Sequence, residues 1–253
     1  MKRDRNLIDA RLADLKPELK RIERRLFLRQ SLSLGALTML SGCDISDNNA
    51  VQTVLDTMSR WNDGAQGLLF SKARLAKTYS EADITDPFPF NAFYSEDEAP
   101  VIDGATYRLQ LSGKIENKKP WSVSDLRKLP QESQITRHIC VEGWSAIGQW
   151  SGVPFHHFLK QIGADTTAKY VGFKCADKYY TSIDMPTALH PQTIIALDWR
   201  QGELPTKYGY PMKLRIPTKL GFKNPKHIAE IFVTNDYPGG YWEDQGYNWY
   251  SGS

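Results

Sequence analysis

A chain of 253 residues with 41% hydrophobic side chains is long and apolar enough for one sizeable core. Its formal charge of +3 comes from residues 1–42, which hold 10 Lys/Arg and 5 Asp/Glu; the remainder carries 22 against 24, a balance of −2. A near-neutral remainder excludes the phosphate-neutralising surface on which nucleic-acid binding rests.

The first element in chain order is a leader. Arg24-Arg25-Leu26-Phe27-Leu28-Arg29 followed by the short, weakly apolar run Ser31–Leu40 reads as a twin-arginine address, and Leu40-Ser41-Gly42-Cys43 as a lipoprotein cleavage box. Leu26–Leu40 falls short of the roughly 20 apolar residues that span a bilayer, so acyl chains on Cys43 are the expected tether. Residues 1–42 are therefore predicted to be a signal peptide read by the twin-arginine export machinery. The expected location is the periplasmic side of the bacterial inner membrane, lipid-anchored after folded export. That route commonly serves proteins loaded with a cofactor before export.

Residues 43–84 read as a helical segment and linker: Val51, Val54, Leu55, Met58 and Trp61 recur at helical spacing behind the capping candidates Asp47 and Asn48. From Thr85 to Gly104 two prolines bracket Phe88 and forbid a regular helix, and so apolar a loop is expected to pack against the body. Residues 85–253 then form the main domain. Alternating segments predict strands at Tyr107–Leu111, Ile135–Val141, Tyr170–Lys174, Thr193–Leu197, Met212–Ile216 and Ile228–Thr234. Short helices are predicted at Ser124–Leu129, capped by Ser122 or Ser124, and at Phe155–Ile162. Strands without regular long helices between them argue for an α+β class, mostly β mixed sheets with short helices.

The chemistry gathers at Arg137-His138-Ile139-Cys140-Val141-Glu142-Gly143-Trp144, where a strand delivers one cysteine and runs into a Gly/Ser/Trp-rich loop. Alternation puts His138 and Cys140 on one strand face and Arg137 on the other. The thiol could be a metal thiolate, a nucleophile served by His156 or His157, or half of a Cys140–Cys175 disulfide in an oxidising compartment. Downstream, Lys213, Arg215, Lys219, Lys223 and Lys226 crowd a segment punctuated by Pro217, Gly221 and Pro225. Turn-forming backbone with cations nearby makes an anion cradle.

Arg137-His138-Ile139-Cys140-Val141-Glu142-Gly143-Trp144-Ser145, followed by Trp150-Ser151-Gly152-Val153-Pro154, resembles the molybdenum-binding segment of the sulfite oxidase family, in its bacterial exported branch. The likeness runs from about Phe90 to Val233. It implies a sulfite-oxidase-type fold and one molybdenum held by a single pyranopterin (molybdopterin) and by the thiolate of Cys140. It carries over Asn91, Tyr94 and Ser95, with Ser95 standing where the family has an acid, and Cys175 where the family has threonine. It also carries over Tyr208, Lys213, Asn224, Pro225 and Lys226 as cofactor contacts; Tyr208 and Lys213 replace the family's Asn or His and Arg. Arg137 and His138 are expected to act beside the metal, supplying charge or a proton.

The implied activity is oxygen-atom transfer to or from a small, sulfoxide- or sulfite-like substrate. The cofactor does the difficult chemistry while the protein positions it. With no haem or iron–sulfur motif in the chain, a membrane cytochrome b-type electron partner is expected, and a monomer. Two readings stand beside this one: a non-catalytic exported lipoprotein with a structural Cys140–Cys175 bridge, and a substrate-binding module on the same fold.

Overall fold

The computed structural model describes residues 49–69 and 74–253. The chain divides into two compact units, Met1–Met58 and Ser59–Ser253. Of the first, the described part is the opening of helix α1 (Asn49–Leu69), which contains the predicted helix. Its capping candidates Asp47 and Asn48, and the export signals at Arg24, Arg25 and Cys43, lie outside the described residues.

The second unit is built on two sheets. β1 (Gln110–Gly113), β4 (Tyr170–Cys175), β5 (Tyr180–Asp184) and β9 (Ile228–Thr234) form a mixed sheet in the order β1-β9-β4-β5, with only the β1–β9 pair parallel. β2 (Glu132–Ile139), β3 (Ser145–Pro154), β6 (Ile194–Trp199) and β7 (Gly202–Glu203) form an antiparallel sheet in that order, and β8 (Lys213–Arg215) pairs with β6. The helices are short: α2 (Val123–Arg127), α3 (Phe155–Gln161) and α4 (Met185–Ala188). Ser122 starts α2 through a capping box, its Oγ accepting from Asp125 N at 3.1 Å.

One hydrophobic core joins both sheets and α3, with Phe155, Phe158, Val171, Phe173, Ile195, Leu197 and Ile231 all removed from solvent. Each such side chain contributes about 1.5–3 kcal/mol on burial. A second cluster covers the other side of the antiparallel sheet: Phe88 of the proline-bracketed loop packs on Trp150, Trp199 and Tyr208. β6 serves both, Ile195 and Leu197 in one cluster and Ile194 and Ala196 in the other, which is why it is apolar on both faces.

The segment after Cys140 corrects the sequence-based expectation. It is no extended loop but a tight reversal into β3, whose residues 145–152 pair with the full length of β2. Gly148 and Gly152 belong to that strand because a Cβ at either would meet the Trp199 ring or the Ile195 backbone. β5, also unread from sequence, hydrogen-bonds to β4. β1 starts three residues later than predicted and ends two later. Residues before the expected domain start also join the sheet: Thr78 bridges Thr136 on the edge of β2.

Candidate active site

Cys140 sits where β2 turns into β3. Its N–H donates to Trp144 O at 2.9 Å, and Gly143 N–H returns to Cys140 O at 3.2 Å. Gly143 takes φ +92°, which a side chain would resist. The thiol is 6% exposed and borders a cavity of about 280 Å³. Asn91 Nδ2 lies 3.2 Å from Sγ, and Glu142 Oε2 lies 3.7 Å from it while accepting from Trp144 Nε1 at 2.9 Å. Burial pushes the Cys140 thiol up, and the Glu142 carboxylate adds to the shift.

Around the neighbouring His138 stands a group of basic side chains. Lys213 is 4% exposed and lies over the Trp150 ring, with its ammonium 4.7 Å from the ring centre. Arg215, on the same strand, bonds Asn224 Oδ1, Thr136 Oγ1 and Arg137 O. Lys226 lines the cavity, donates to Lys207 O and lies over Phe90. Among the described residues no carboxylate pairs with Lys213, Arg215 or Lys226 within salt-bridge distance. Burial lowers all three, most strongly Lys213, which also feels Lys226 and Arg215. Unpaired buried cations call for an anion.

The basic run read from sequence therefore splits. Lys226 lines the Cys140 cavity and Lys213 and Arg215 lie near His138, whereas Lys223 turns away into a buried pair with Glu243, and Lys219 donates to Tyr250 O. Asn224 and Pro225 line the cavity, and Asn224 is held by Arg215 and Ile216 N. His138 lies on the Cys140 face and is fully enclosed; burial and then Lys213 hold its imidazole well below the usual range.

Other candidates lie elsewhere. Arg137 projects from the opposite face of β2 and donates to Tyr79 OH at 2.6 Å, so it is not brought to the sulfur. Ser95 caps a one-turn helix through Glu98. Tyr208 OH donates to Phe88 O inside the second aromatic cluster. Tyr94 OH donates to Asp177, which itself lines the cavity. Cys175 and Cys140 are both free thiols, so the alternative disulfide is not formed. Cys175 borders a separate cavity with Phe173 and Lys178. His156 and His157 ride on α3 and do not line the Cys140 cavity.

Sequence reasoning did not pick out Asp177, and it named Glu142 only as a neighbour of the cysteine. Asp177 has no motif signal, because the register of β4 and the turn after it bring it in. Phe90, Phe93, Tyr179, Trp242 and Tyr247 give the cavity an aromatic wall, part of it from the C-terminal segment.

A single buried thiol at a cavity lined by Lys226, with further unpaired basic side chains nearby, matches a metal whose remaining ligands come from an anionic cofactor. Among the described residues no three His, Cys, Asp or Glu side chains converge as a metal site of their own. The sequence model of the oxidoreductase molybdopterin-binding domain family matches residues 96–242. A protein of Azospira oryzae provisionally named as a protein-methionine-sulfoxide reductase subunit is 58% identical over 99% of this chain and 95% of its own. A protein-methionine-sulfoxide reductase catalytic subunit of Xanthomonas campestris is 33% identical over 64% of this chain; the match spans 57% of that relative. The crystal structure of the sulfane dehydrogenase from Paracoccus pantotrophus shares the fold, with a TM-score of 0.51 and 18% identity over 55% of this chain and 40% of that one. With thiol, cradle and fold in agreement, the chain belongs to the oxidoreductase molybdopterin-binding domain family, of sulfite oxidase type, and is an oxidoreductase of that class.

Proposed function

We propose that the protein reduces sulfoxides, of the methionine sulfoxide class, at a molybdenum held by one pyranopterin and by Cys140. The observation that carries this reading is the buried Cys140 sulfur with Asn91 at 3.2 Å, at a cavity that Lys226, paired with no carboxylate among the described residues, helps to line. The names of the relatives supply the substrate class. Bound molybdenum supplies the two-electron exchange of an oxygen atom.

The chain's own residues do the rest. Cys140 gives the metal a thiolate, and Glu142, the carboxylate beside the sulfur, is placed to accept the thiol proton as that thiolate forms. The Asn91 amide then donates to the thiolate and fixes its direction. Lys213, Arg215, Lys226 and the turn around Asn224 and Pro225 cradle the cofactor's phosphate. Phe93, Trp242 and Tyr247 exclude water and offer an apolar wall to a thioether-sized substrate.

Electrons would come from a membrane cytochrome b-type partner, with the protein exported folded and tethered through Cys43 to the periplasmic face of the inner membrane. No helix among the described residues is long and apolar enough to cross a membrane. The test is metal and pterin analysis of the native protein, with methionine sulfoxide reduction assayed from a reduced viologen. One molybdenum and one pterin per chain with turnover is expected; a metal-free, pterin-free native protein would sink the reading.

A further inference from the structure

A second cavity, of about 470 Å³, opens on the other face of the strand that leads to Cys140. Side chains of β2 alternate, so Arg137 and Ile139 line this cavity while Cys140, the next residue, lines the first. Its other walls come from residues 74–79, which bridge to the edge of β2, and from residues 217–219 and Tyr250. Arg74, Lys77, Arg137 and Lys219 all line it, and among the described residues no Asp or Glu does. Residues 43–253 carry 22 Lys/Arg against 24 Asp/Glu, so this basin concentrates positive charge against the balance of the chain.

The cations are held in place without being neutralised. Arg137 donates to Tyr79 OH at 2.6 Å, and its guanidinium carbon lies 5.6 Å from the centre of that ring. The Lys77 ammonium lies 4.9 Å from the same centre, so one phenol ring gathers two like charges. Among the described residues no carboxylate stands within salt-bridge distance of Arg74, Lys77 or Arg137. The backbone that carries Arg74 and Lys77 is pinned. Gln192 Oε1 accepts from Ala76 N at 2.7 Å, Gln192 Nε2 donates to Ala76 O at 3.0 Å, and Tyr79 N donates to Ile135 O at 3.0 Å. A basin already formed loses little freedom when it is filled.

The setting favours an acidic protein surface over a small free anion. Arg74, Lys77 and Arg137 are exposed, and Leu75 among them is 60% exposed. Salt screens the pull of exposed charges on a lone ion. A protein segment with several carboxylates around an apolar residue meets the cations and Leu75 together, which adds contact to charge complementarity.

We propose that this basin is the docking site of the electron-donating partner, a haem protein that seats an acidic surface segment on Arg74, Lys77 and Arg137. This rests on the reading that the chain is a reductase fed by such a partner. Ile139, a wall of the basin, is joined to Cys140 by one peptide bond. The donor therefore sits behind the sulfur, and the substrate keeps the cavity in front of it. Each sulfoxide takes up two electrons and two protons and leaves as thioether and water. The docked haem is oxidised by one electron at a time, so two transfers complete one reduction.

The test compares two double variants of the full-length holoprotein, all forms carrying Cys43→Ser so that no acyl chain holds them to a membrane. Arg74→Glu with Lys77→Glu alters the basin; Lys118→Glu with Lys119→Glu makes the same charge change at exposed positions outside it. Methionine sulfoxide reduction is driven by duroquinol-reduced native membranes from cells lacking this chain, or by reduced methyl viologen. Co-sedimentation is measured with those membranes and with protein-free vesicles of phosphatidylglycerol. The basin variant should be about tenfold or more slower with native membranes at low salt, and should sediment with them less. Its rate with viologen and its melting temperature should match the wild type. Wild-type rate and binding with native membranes in the basin variant overturn the proposal, as does an equal loss in the Lys118, Lys119 variant. Binding to protein-free vesicles as tight as to native membranes, lost from both in the basin variant, would make the occupant a lipid surface and also overturn it. If the wild type does not turn over even with viologen, the function fails. Binding to native membranes but not to vesicles, lost in the basin variant, would then still uphold the docking site.

Discussion

Asn91, from the loop that precedes the first strand, places its amide nitrogen 3.2 Å from Sγ of Cys140. The two are 49 residues apart in the chain. Hydrogen bonds to ionised acceptors contribute about 1.5–3 kcal/mol, so Asn91→Ala should raise the thiol pKa of cofactor-free protein by about one unit or more. The rate of thiol alkylation against pH reads this, with Cys43→Ser and Cys175→Ser as background to remove the other two thiols. A pH profile that does not move would show that the amide does not stabilise the thiolate.

Cys140→Ser should strip the metal of its protein ligand. The expected result is molybdenum content and the sulfur shell around the metal both changed, with turnover lost; Cys175→Ser, whose thiol borders a different cavity, should keep its metal. X-ray absorption at the molybdenum edge with metal analysis checks both variants. Full turnover and an unchanged sulfur shell in Cys140→Ser would exclude that residue as ligand.

How far such a site can be read from sequence varies along the chain. The alternation of β2 was enough to set His138 and Cys140 against Arg137, and the structure keeps Arg137 on the far face with Tyr79. β9 and α3 were legible because their apolar periods are uninterrupted. β3 was not, because Gly148 and Gly152 stand in for side chains that the Trp199 ring and the β6 backbone leave no room for, and glycines in a run read as loop. The basic segment was legible as a cradle but not lysine by lysine. A one-turn helix at Gly221–Lys223 sends Lys223 inward to Glu243, three residues before Lys226 lines the cavity.

That buried pair gives a stability prediction. The side chains of Lys223 and Glu243 are each 1% exposed, and Glu243 also accepts from Thr181 Oγ1 at 2.7 Å. Removing one partner of a buried pair costs about 3–5 kcal/mol, because the other charge is stranded. Lys223→Met should therefore lower stability to urea by that amount, and the double variant Lys223→Met with Glu243→Leu by clearly less. A loss in the double variant equal to the sum of the Lys223→Met and Glu243→Leu losses would show that the side chains do not act as a pair.

Lys226 gives the pH dependence. Burial lowers its pKa to about 8, against the pull of the Asp177 and Glu96 carboxylates. The unfolded chain holds the same proton to about 10.4. Between these values the unfolded state binds more protons, so this group's contribution to the stability of cofactor-free protein rises with pH across that window. Below about 8 both states are charged and the burial penalty is fully present. Anion binding carries the opposite sign: a bound phosphate favours charged Lys226, so affinity should weaken above about pH 8, at most about tenfold per pH unit. Calorimetry of phosphate binding at several pH values, in buffers of different ionisation enthalpy, should detect the proton taken up. Lys226→Met should flatten the profile and remove that proton. A wild-type affinity that is level or tighter from pH 7 to 9 would mean that Lys226 does not face the anion.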